Sequence, residues 1–422
     1  MPYIKIVQLN PFRQSDSDTM ITQNTPITLL NLFALFFRLG CTSFGGPIAH
    51  IGFFHHEFVD KRKWYSEEEY LQMVALCQFL PGPASSQVGM AIGLNARGYM
   101  GSLISFIGFT LPSALLMMSF AFLIESNREL IESSVLYVLK IVAVAVVAQA
   151  IWTMSKAQCL DAVRVSITLT SVFLAITINN PFSQILIIMC AGFAGYLFCK
   201  PELNQINGKN YHTPKSKRLS ILLITTFFII LFAAPFLSNF SNNDLVSIFD
   251  SFYRSGALVF GGGHVVLPLL ENELVSTGLI DNEQFLYGYS VAQAIPGPLF
   301  TFSSYLGVLS VDNSSPIIGS LVATFAIFLP GYLLLVSLLP YWQTLCKNET
   351  LSKAIRGINA SVVGLLIASF IYPIWIETIH SLLDLIFAVL LFIALIFWKL
   401  SPLKLISISV AAALIFDLLF IY

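Results

Sequence analysis

Two tripeptides pose the first chemical question in this chain: Pro81-Gly82-Pro83 and Pro296-Gly297-Pro298, each inside an apolar stretch. Two prolines delete two N–H donors and bar the residue before each from helical geometry. The glycine between them accepts whatever φ a break needs. Each stretch then reads as two half-helices joined by unwound backbone, the alternative being a proline kink that serves packing. A half-helix starting after such a break offers N–H groups and a positive dipole end, which suits an anion. Ser85 and Ser86 in one copy, and Thr301, Ser303 and Ser304 in the other, put hydroxyl donors on that first turn. Gln78 and Gln293, three residues ahead of each block, could orient substrate oxygens or satisfy freed carbonyls.

The same pairing recurs elsewhere. Phe44-Gly45-Gly46-Pro47 has a counterpart in Phe260-Gly261-Gly262-Gly263. Adjacent glycines form an anion-binding nest of N–H groups or let two backbones approach closely. Arg38 and Arg254 precede these blocks at matched positions within apolar segments. An intramembrane arginine is costly and is normally kept facing a partner or a watery path. Its guanidinium fork fits tetrahedral oxyanions; snorkelling, or a salt bridge with Glu57 or Asp250, is the alternative. Lys140 and Arg356, near the starts of corresponding later helices, either add positive potential or anchor at the interface. His50, His55, His56 and Glu57 follow the first glycine block, and His264, Glu271 and Glu273 the second. Histidine titrates in the range useful for proton coupling, but no metal-ligand spacing occurs and these read as loop residues.

These matches define a duplication. The glycine blocks are 216 residues apart (45 to 261), the Pro-Gly-Pro blocks 215 (81 to 296), and Gly101-Ser102-Leu103 and Gly319-Ser320-Leu321 218. Blocks in one order with small indels mark a repeated unit.

Composition sets the solvent for these elements. Of 422 residues, 56% are hydrophobic and 11% charged, against about 25% charged in soluble domains; the mean hydropathy is +0.79. That excludes a cytosolic enzyme, a nucleic-acid binder and a disordered chain. The net charge of −1 gives no pull toward polyanions. The six cysteines show no CxxC spacing and read as small buried hydrophobes. Residues 8–25 are polar, so no cleavable signal peptide is expected ahead of the first apolar run.

A crossing helix needs about 20 apolar residues. Candidate segments fall near 27–45, 70–93, 101–124, 135–154, 165–179, 182–199, 219–237, 245–261, 285–309, 316–340, 354–376, 381–398 and 403–421. The expectation is an all-α integral membrane protein of about 12–13 transmembrane or re-entrant helices in two homologous, inverted repeats. Its parts are a polar N-terminal segment (1–26), a first repeat (27–199), a basic cytoplasmic linker (200–218), an extra linking helix (219–244) and a second repeat (245–422). Inversion follows if an odd number of spans, seven in this reading, separates the repeat starts. The positive-inside rule puts the N-terminus inside and the C-terminus outside, although Lys61-Arg62-Lys63 would then lie outside. A re-entrant segment near Gly45 would move that loop.

The combination of FGGP, an acidic Trp-containing stretch (Glu57 to Glu69, with Trp64) and QFLPGP resembles the chromate transporter family of bacteria and archaea, in its long two-domain form. The resemblance covers residues 27–200 and 245–421. It implies a multi-pass inner-membrane protein that exports chromate, a dianion similar to sulfate. Carried onto this chain, the motif positions are Arg38, Phe44, Gly45, Gly46, Pro47, Gln78, Pro81, Gly82 and Pro83. Their second-copy equivalents are Arg254, Phe260, Gly261, Gly262, Gln293, Pro296, Gly297 and Pro298. Gly263 stands where the first copy has Pro47, so the copies differ there.

The candidate substrate-binding set is therefore Arg38, Gly45, Gly46, Gln78, Pro81, Gly82, Pro83 and Ser85, with Arg254, Gly261, Gly262, Gln293, Pro296, Gly297, Pro298 and Thr301. Expected partners are a chromate- or sulfate-like dianion, a coupling ion or counter-anion and the lipid bilayer, with a homodimer left open; no cofactor, metal or nucleic acid is expected. No GxxxxGK[ST] occurs, so energy would come from a gradient or counter-transport. An intramembrane enzyme is the rival class. It would need a reactive constellation, but no HExxH or paired aspartates occur within the spans, and Ser43 lacks an evident base. An anion channel is the third reading.

Overall fold

The computed structural model describes residues 27–126, 134–178, 183–200, 216–241, 243–260, 263–311, 314–341 and 348–420, which are helical with no strand. In the first repeat, α1 (Leu29–Thr42), α2 (Gly46–His55, extended by a π-helical turn to Lys61) and α3 (Glu67–Phe79) precede α4 (Ala84–Ser126). Arg97 and Gly98 break α4 with non-helical dihedrals, dividing it into α4a (84–96) and α4b (99–126). Then come α5 (Ser134–Gln158), α6 (Ala162–Thr177), α7 (Ser183–Phe198) and the extra helix α8 (Lys217–Phe240).

The second repeat follows the same order. α9 (Asp244–Leu258) precedes α10 (Val266–Leu270, continued by a π-helical turn Glu271–Val275), α11 (Asn282–Ala294) and α12 (Phe302–Leu309). α13 (Pro316–Leu338), α14 (Glu349–Ser369, continued to Trp375), α15 (Leu382–Ile396) and α16 (Pro402–Phe420) complete it. Both Pro-Gly-Pro stretches are broken helices: α3 ends at Phe79 with Leu80 extended, and α11 ends at Ala294 with Ile295 extended.

Length decides which helices cross. α1, α3, α9 and α11 have 13 to 15 residues, or about 20 Å at 1.5 Å per residue, short of a hydrocarbon core of about 30 Å. Five helices are long and apolar enough: 84–126, 135–158, 217–240, 316–341 and 349–375. The short ones double back. Arg38 on α1 and Glu57 after α2 would be about 28 Å apart on a continuous helix, yet their charged atoms lie 3.0 Å apart. The equivalent Arg254 and Glu273 are 2.7 Å apart. The second hairpin closes likewise, Tyr305 on α12 donating to the Gln284 carbonyl on α11. The segments read as spans near 27–45 and 245–261 are thus arms of re-entrant hairpins, and those near 70–93 and 285–309 are such hairpins with both arms.

The repeats are antiparallel. α5 begins where Tyr137 meets Asp384 at the start of α15 and Lys140 meets Glu283 at the start of α11. It ends where Lys156 shares a cavity with Lys399 beyond the end of α15. Its counterpart α14 runs the other way: Arg356, near its start, donates to the Lys200 carbonyl at the linker, and Glu377, past its end, accepts from Asn282 of α11. Without the two re-entrant hairpins, three helices long enough to cross (α4b, α5 and α8) and the short α6–α7 pair separate the repeat starts, rather than seven spans. The pair adds two crossings or none, so the number stays odd and the expected inversion stands on a corrected count. These two counterparts are exchanged between repeats: α5 packs on α15 and α16, and α14 on α6 and α7.

Hairpin closure also moves Lys61-Arg62-Lys63. Arg97, ending α4a, donates to the Ile27 carbonyl at the start of α1, and α4b and α5 carry the chain across and back. The loop therefore shares the face of the linker ends Lys200 and Lys217. In a background stripped of native cysteines, K61C and K217C should react with an impermeant maleimide from the same side of the membrane, and S381C from the other. Labelling of K61C and K217C from opposite sides would contradict this topology.

Candidate functional site

The unwound tips of the four hairpins meet. The Gly82 N–H donates to the Val259 carbonyl at 2.7 Å, and the Gly297 N–H donates to the Ser43 carbonyl at 2.9 Å. Ser43 and Val259 are equivalent positions, so each Pro-Gly-Pro tip of one repeat is fastened to the glycine-block tip of the other. Both glycines need positive φ, 115° at Gly82 and 101° at Gly297. A Cβ on Gly297 would also lie 2.6 Å from Ser113 Oγ, and one on Gly82 3.1 Å from the Gly331 Cα; Ser113 and Gly331 are again equivalent. Pro47 and Gly263 face each other, with a Cβ on Gly263 falling 2.9 Å from Pro47 Cγ. Equivalent residues meet only on the pseudo-two-fold axis, where a second proline would collide with the first.

Polar groups around the tips are unevenly shared. In the first repeat, His50 is fully buried, with Nε2 3.1 Å from the Ser43 carbonyl and Nδ1 3.4 Å from Ser85 Oγ. The Gln87 amide nitrogen donates to the Pro81 and Gly331 carbonyls at 2.9 and 3.2 Å. Ser43 Oγ, Ser86 Oγ and Gln87 Oε1 are buried without a partner among the described residues. In the second repeat the hydroxyls that follow the Pro-Gly-Pro block are already engaged, although Ser255 Oγ on α9 is buried without a partner among the described residues. Thr301 donates to the Pro298 carbonyl, Ser303 to Phe300, and Ser304 to Ala114 across the repeat boundary. Val266 and Phe302 stand where the first repeat has His50 and Gln87.

The arginines are ion-paired, the alternative left open by their sequence context. Glu57 accepts from Arg38 at 3.0 Å and from Arg62 at 2.7 Å, a cluster of net charge +1. Arg254 donates to Asp250 and Glu273, a cluster of net charge −1. The Arg38 side chain is 54% exposed and that of Arg254 11%. Gln78 is exposed and Gln293 buried. Of these equivalent side chains the first-repeat members are the exposed ones, while the first-repeat tip itself, with Ser43, His50, Ser85, Ser86 and Gln87, is buried.

Other expected site residues fall as follows. Gly45 and Gly46 have positive φ and start α2; Gly261 and Gly262 lie outside the described residues. Pro81, Pro83 and Pro298 are buried and Pro296 is half-buried. Lys140 and Arg356 are bound at opposite faces, to Glu283 and to the Lys200 carbonyl, and act as anchors. His50, Glu57, Glu271 and Glu273 are helical residues rather than loop residues, because the short helices continue through π-turns. Gln87 and the Ser43 carbonyl escaped the sequence reading: Gln87 has Phe302 as its equivalent and so no chemical counterpart in the other repeat, and a backbone carbonyl carries no residue-type signal. The Arg38–Glu57 pair could have been found: both members recur at a shift of 216, as Arg254 and Glu273.

A family model described as chromate transporter matches residues 30–196 and 246–416. An uncharacterized transporter of Methanocaldococcus jannaschii is 28% identical over 86% of this chain and 88% of its own length. A probable chromate transport protein of Synechococcus elongatus is 29% identical over 87% and 90%. A chromate transport protein of Pseudomonas aeruginosa is 28% identical over 86% and 84%. No solved structure matches.

The axial contact sets a test. Overpacking a well-filled site costs about 1–3 kcal/mol, so G263A should lower the melting temperature in detergent. P47G/G263A should recover most of that loss, because the colliding ring is gone. Purely additive effects would remove the axial contact.

Proposed function

The chain belongs to the chromate transporter family, and from that premise we propose that it is a secondary carrier that exports chromate, or a closely similar tetrahedral oxyanion, across the plasma membrane. One observation carries the reading: re-entrant hairpins from opposite faces are tied tip to tip by two equivalent backbone hydrogen bonds. Unwound backbone at membrane depth persists only where protein or a watery cavity covers it. Inverted repeats with such breaks commonly place a substrate site at their meeting point.

The dianion would rest against the first turn of α4a. There the leading N–H groups of the helix have no intrahelical acceptor, and the dipole end is positive. The unpartnered hydroxyls of Ser43 and Ser86 supply donors, and His50 braces the tip from behind. Arg38 and Arg62 outweigh Glu57, so the open side of the first repeat is the positive one and draws an anion in. Lys156, Arg164, Lys217, Arg218, Lys353 and Lys399 are on the linker face, which the positive-inside rule makes cytoplasmic. Exposure of Arg38 and Gln78 on the first-repeat hairpins then fits an approach for the anion from the cytoplasm. Exchange of the two repeats' environments would carry the anion to the far face, with a coupling ion or counter-anion supplying the energy.

Everted vesicles should take up radiolabelled chromate saturably, with competition by sulfate. A hydrogen bond to a charged group is worth about 1.5–3 kcal/mol, so S86A should raise the KM for chromate about tenfold at unchanged expression. R38Q, which neutralises the +1 cluster, should lower uptake with normal insertion. Non-saturable conductance without counter-ion sensitivity would replace the carrier with a channel.

A further inference from the structure

Glu271 stands apart from the other buried carboxylates. It lies on the return arm of the second-repeat hairpin, 8% exposed. Its Oε2 accepts from Ser369 of α14 at 3.2 Å, and its Oε1 faces Ser276 Oγ at 3.5 Å. Glu57 has two arginines, Asp250 shares Arg254 with Glu273, and Asp384 caps α15 through the N–H groups of His380 and Ser381. Among the described residues no Lys, Arg or His comes within ion-pair distance of Glu271.

The charged groups on the neighbouring elements are already committed. On α9, Arg254 holds Asp250; on the arm itself it holds Glu273. On α11, Glu283 is paired with Lys140, and Glu377 beyond α14 accepts from Asn282 and adds only negative charge nearby. The equivalent position in the first repeat is His55, which is paired with Glu67 at 2.6 Å and Asp60 at 3.5 Å. The repeats thus place titratable groups of opposite kind at one site, saturated in one copy and unmatched in the other.

We propose that Glu271 is the proton-carrying group that couples anion passage to a proton gradient, an inference that rests on the transport reading above. A carboxylate at this depth with only two hydroxyl partners is costly as an ion and favoured as an acid. A proton from water on the far face binds the carboxylate. The neutral acid keeps both contacts, donating its O–H to one hydroxyl and accepting from the other. On ionisation the group has acceptors only and draws in water, which loosens the arm from α14. The same proton leaves to water on the linker face after the repeats have moved. Because α14 packs on α6 and α7 of the first repeat, proton occupancy of this one carboxyl bears on both halves.

The full chain in proteoliposomes provides the test, with radiolabelled chromate driven by an imposed pH gradient or exchanged against unlabelled chromate at equal pH. E271Q should lose gradient-driven accumulation by about tenfold or more, within the span of coupling between linked sites, and keep the exchange. Infrared difference spectra on a pH step should contain a carboxylic-acid C=O band in the wild type and E271D that is absent in E271Q. Gradient-driven accumulation by E271Q at the wild-type level, an equal fall in accumulation and exchange, or a missing band in the wild type would each overturn the proposal. Wild-type chromate flux that ignores the pH gradient overturns this inference alone, whereas wild-type protein with no saturable flux overturns the transport reading and this inference with it.

Discussion

Backbone donors and acceptors inside a bilayer have no water to turn to, so any unwound stretch must find its partners in protein. The Gly82–Val259 and Gly297–Ser43 hydrogen bonds meet that demand reciprocally. Each repeat pairs the glycine N–H of its Pro-Gly-Pro tip outside itself, borrowing the carbonyl that the other leaves free where its glycine block stops a helix. The arrangement therefore requires both copies and requires them antiparallel, because only hairpins entering from opposite faces can meet tip to tip. The exchanged packing of α5 and α14 extends the dependence to the scaffold.

Duplication supplies the frame, and divergence supplies polarity. Arg38 and Arg254 keep the same partner type at the same offset, yet one cluster gains Arg62 and the other Asp250. The sign of the local charge consequently reverses across the axis. The buried polar groups follow the same pattern, with His50 and Gln87 opposite Val266 and Phe302. A symmetric pair of anion sites would hold two dianions close together in a low-dielectric interior, at a heavy Coulomb cost. One polar tip against one apolar tip avoids that cost.

Much of this was legible in the residues. The Pro-Gly-Pro breaks and the duplication are local and compositional, so they survive reading in one dimension. The parity argument for inversion held because two spans were miscounted together: segments 27–45 and 70–93 are apolar, but α1 stops at Thr42 and α3 at Phe79, each short of a crossing. Hydropathy averages over a break and cannot tell a broken crossing from a hairpin. The arginine–glutamate pairs show the same limit, since only a hairpin brings residues 19 apart in sequence to 3.0 Å. His50 and Gln87 were the least visible, because their significance lies in contacts with carbonyls, which every residue possesses.

The Pro47–Gly263 contact explains why the copies cannot both carry proline at this position. A residue on a two-fold axis meets its own copy, and a proline ring there leaves no room for a second. In a pair of identical units, that position would have to be small or hold the units apart. Fusion into one chain removes the constraint, because the two sides of the axis are then separate positions. Once one side takes proline and the other glycine, the tips no longer sit in equal surroundings. Subsequent polar substitutions are then favoured on one side only. The contacts of His50 with Ser85 and the Ser43 carbonyl on the first tip, against Val266 and Phe300 at the corresponding places of the second, fit that unequal setting about the axis.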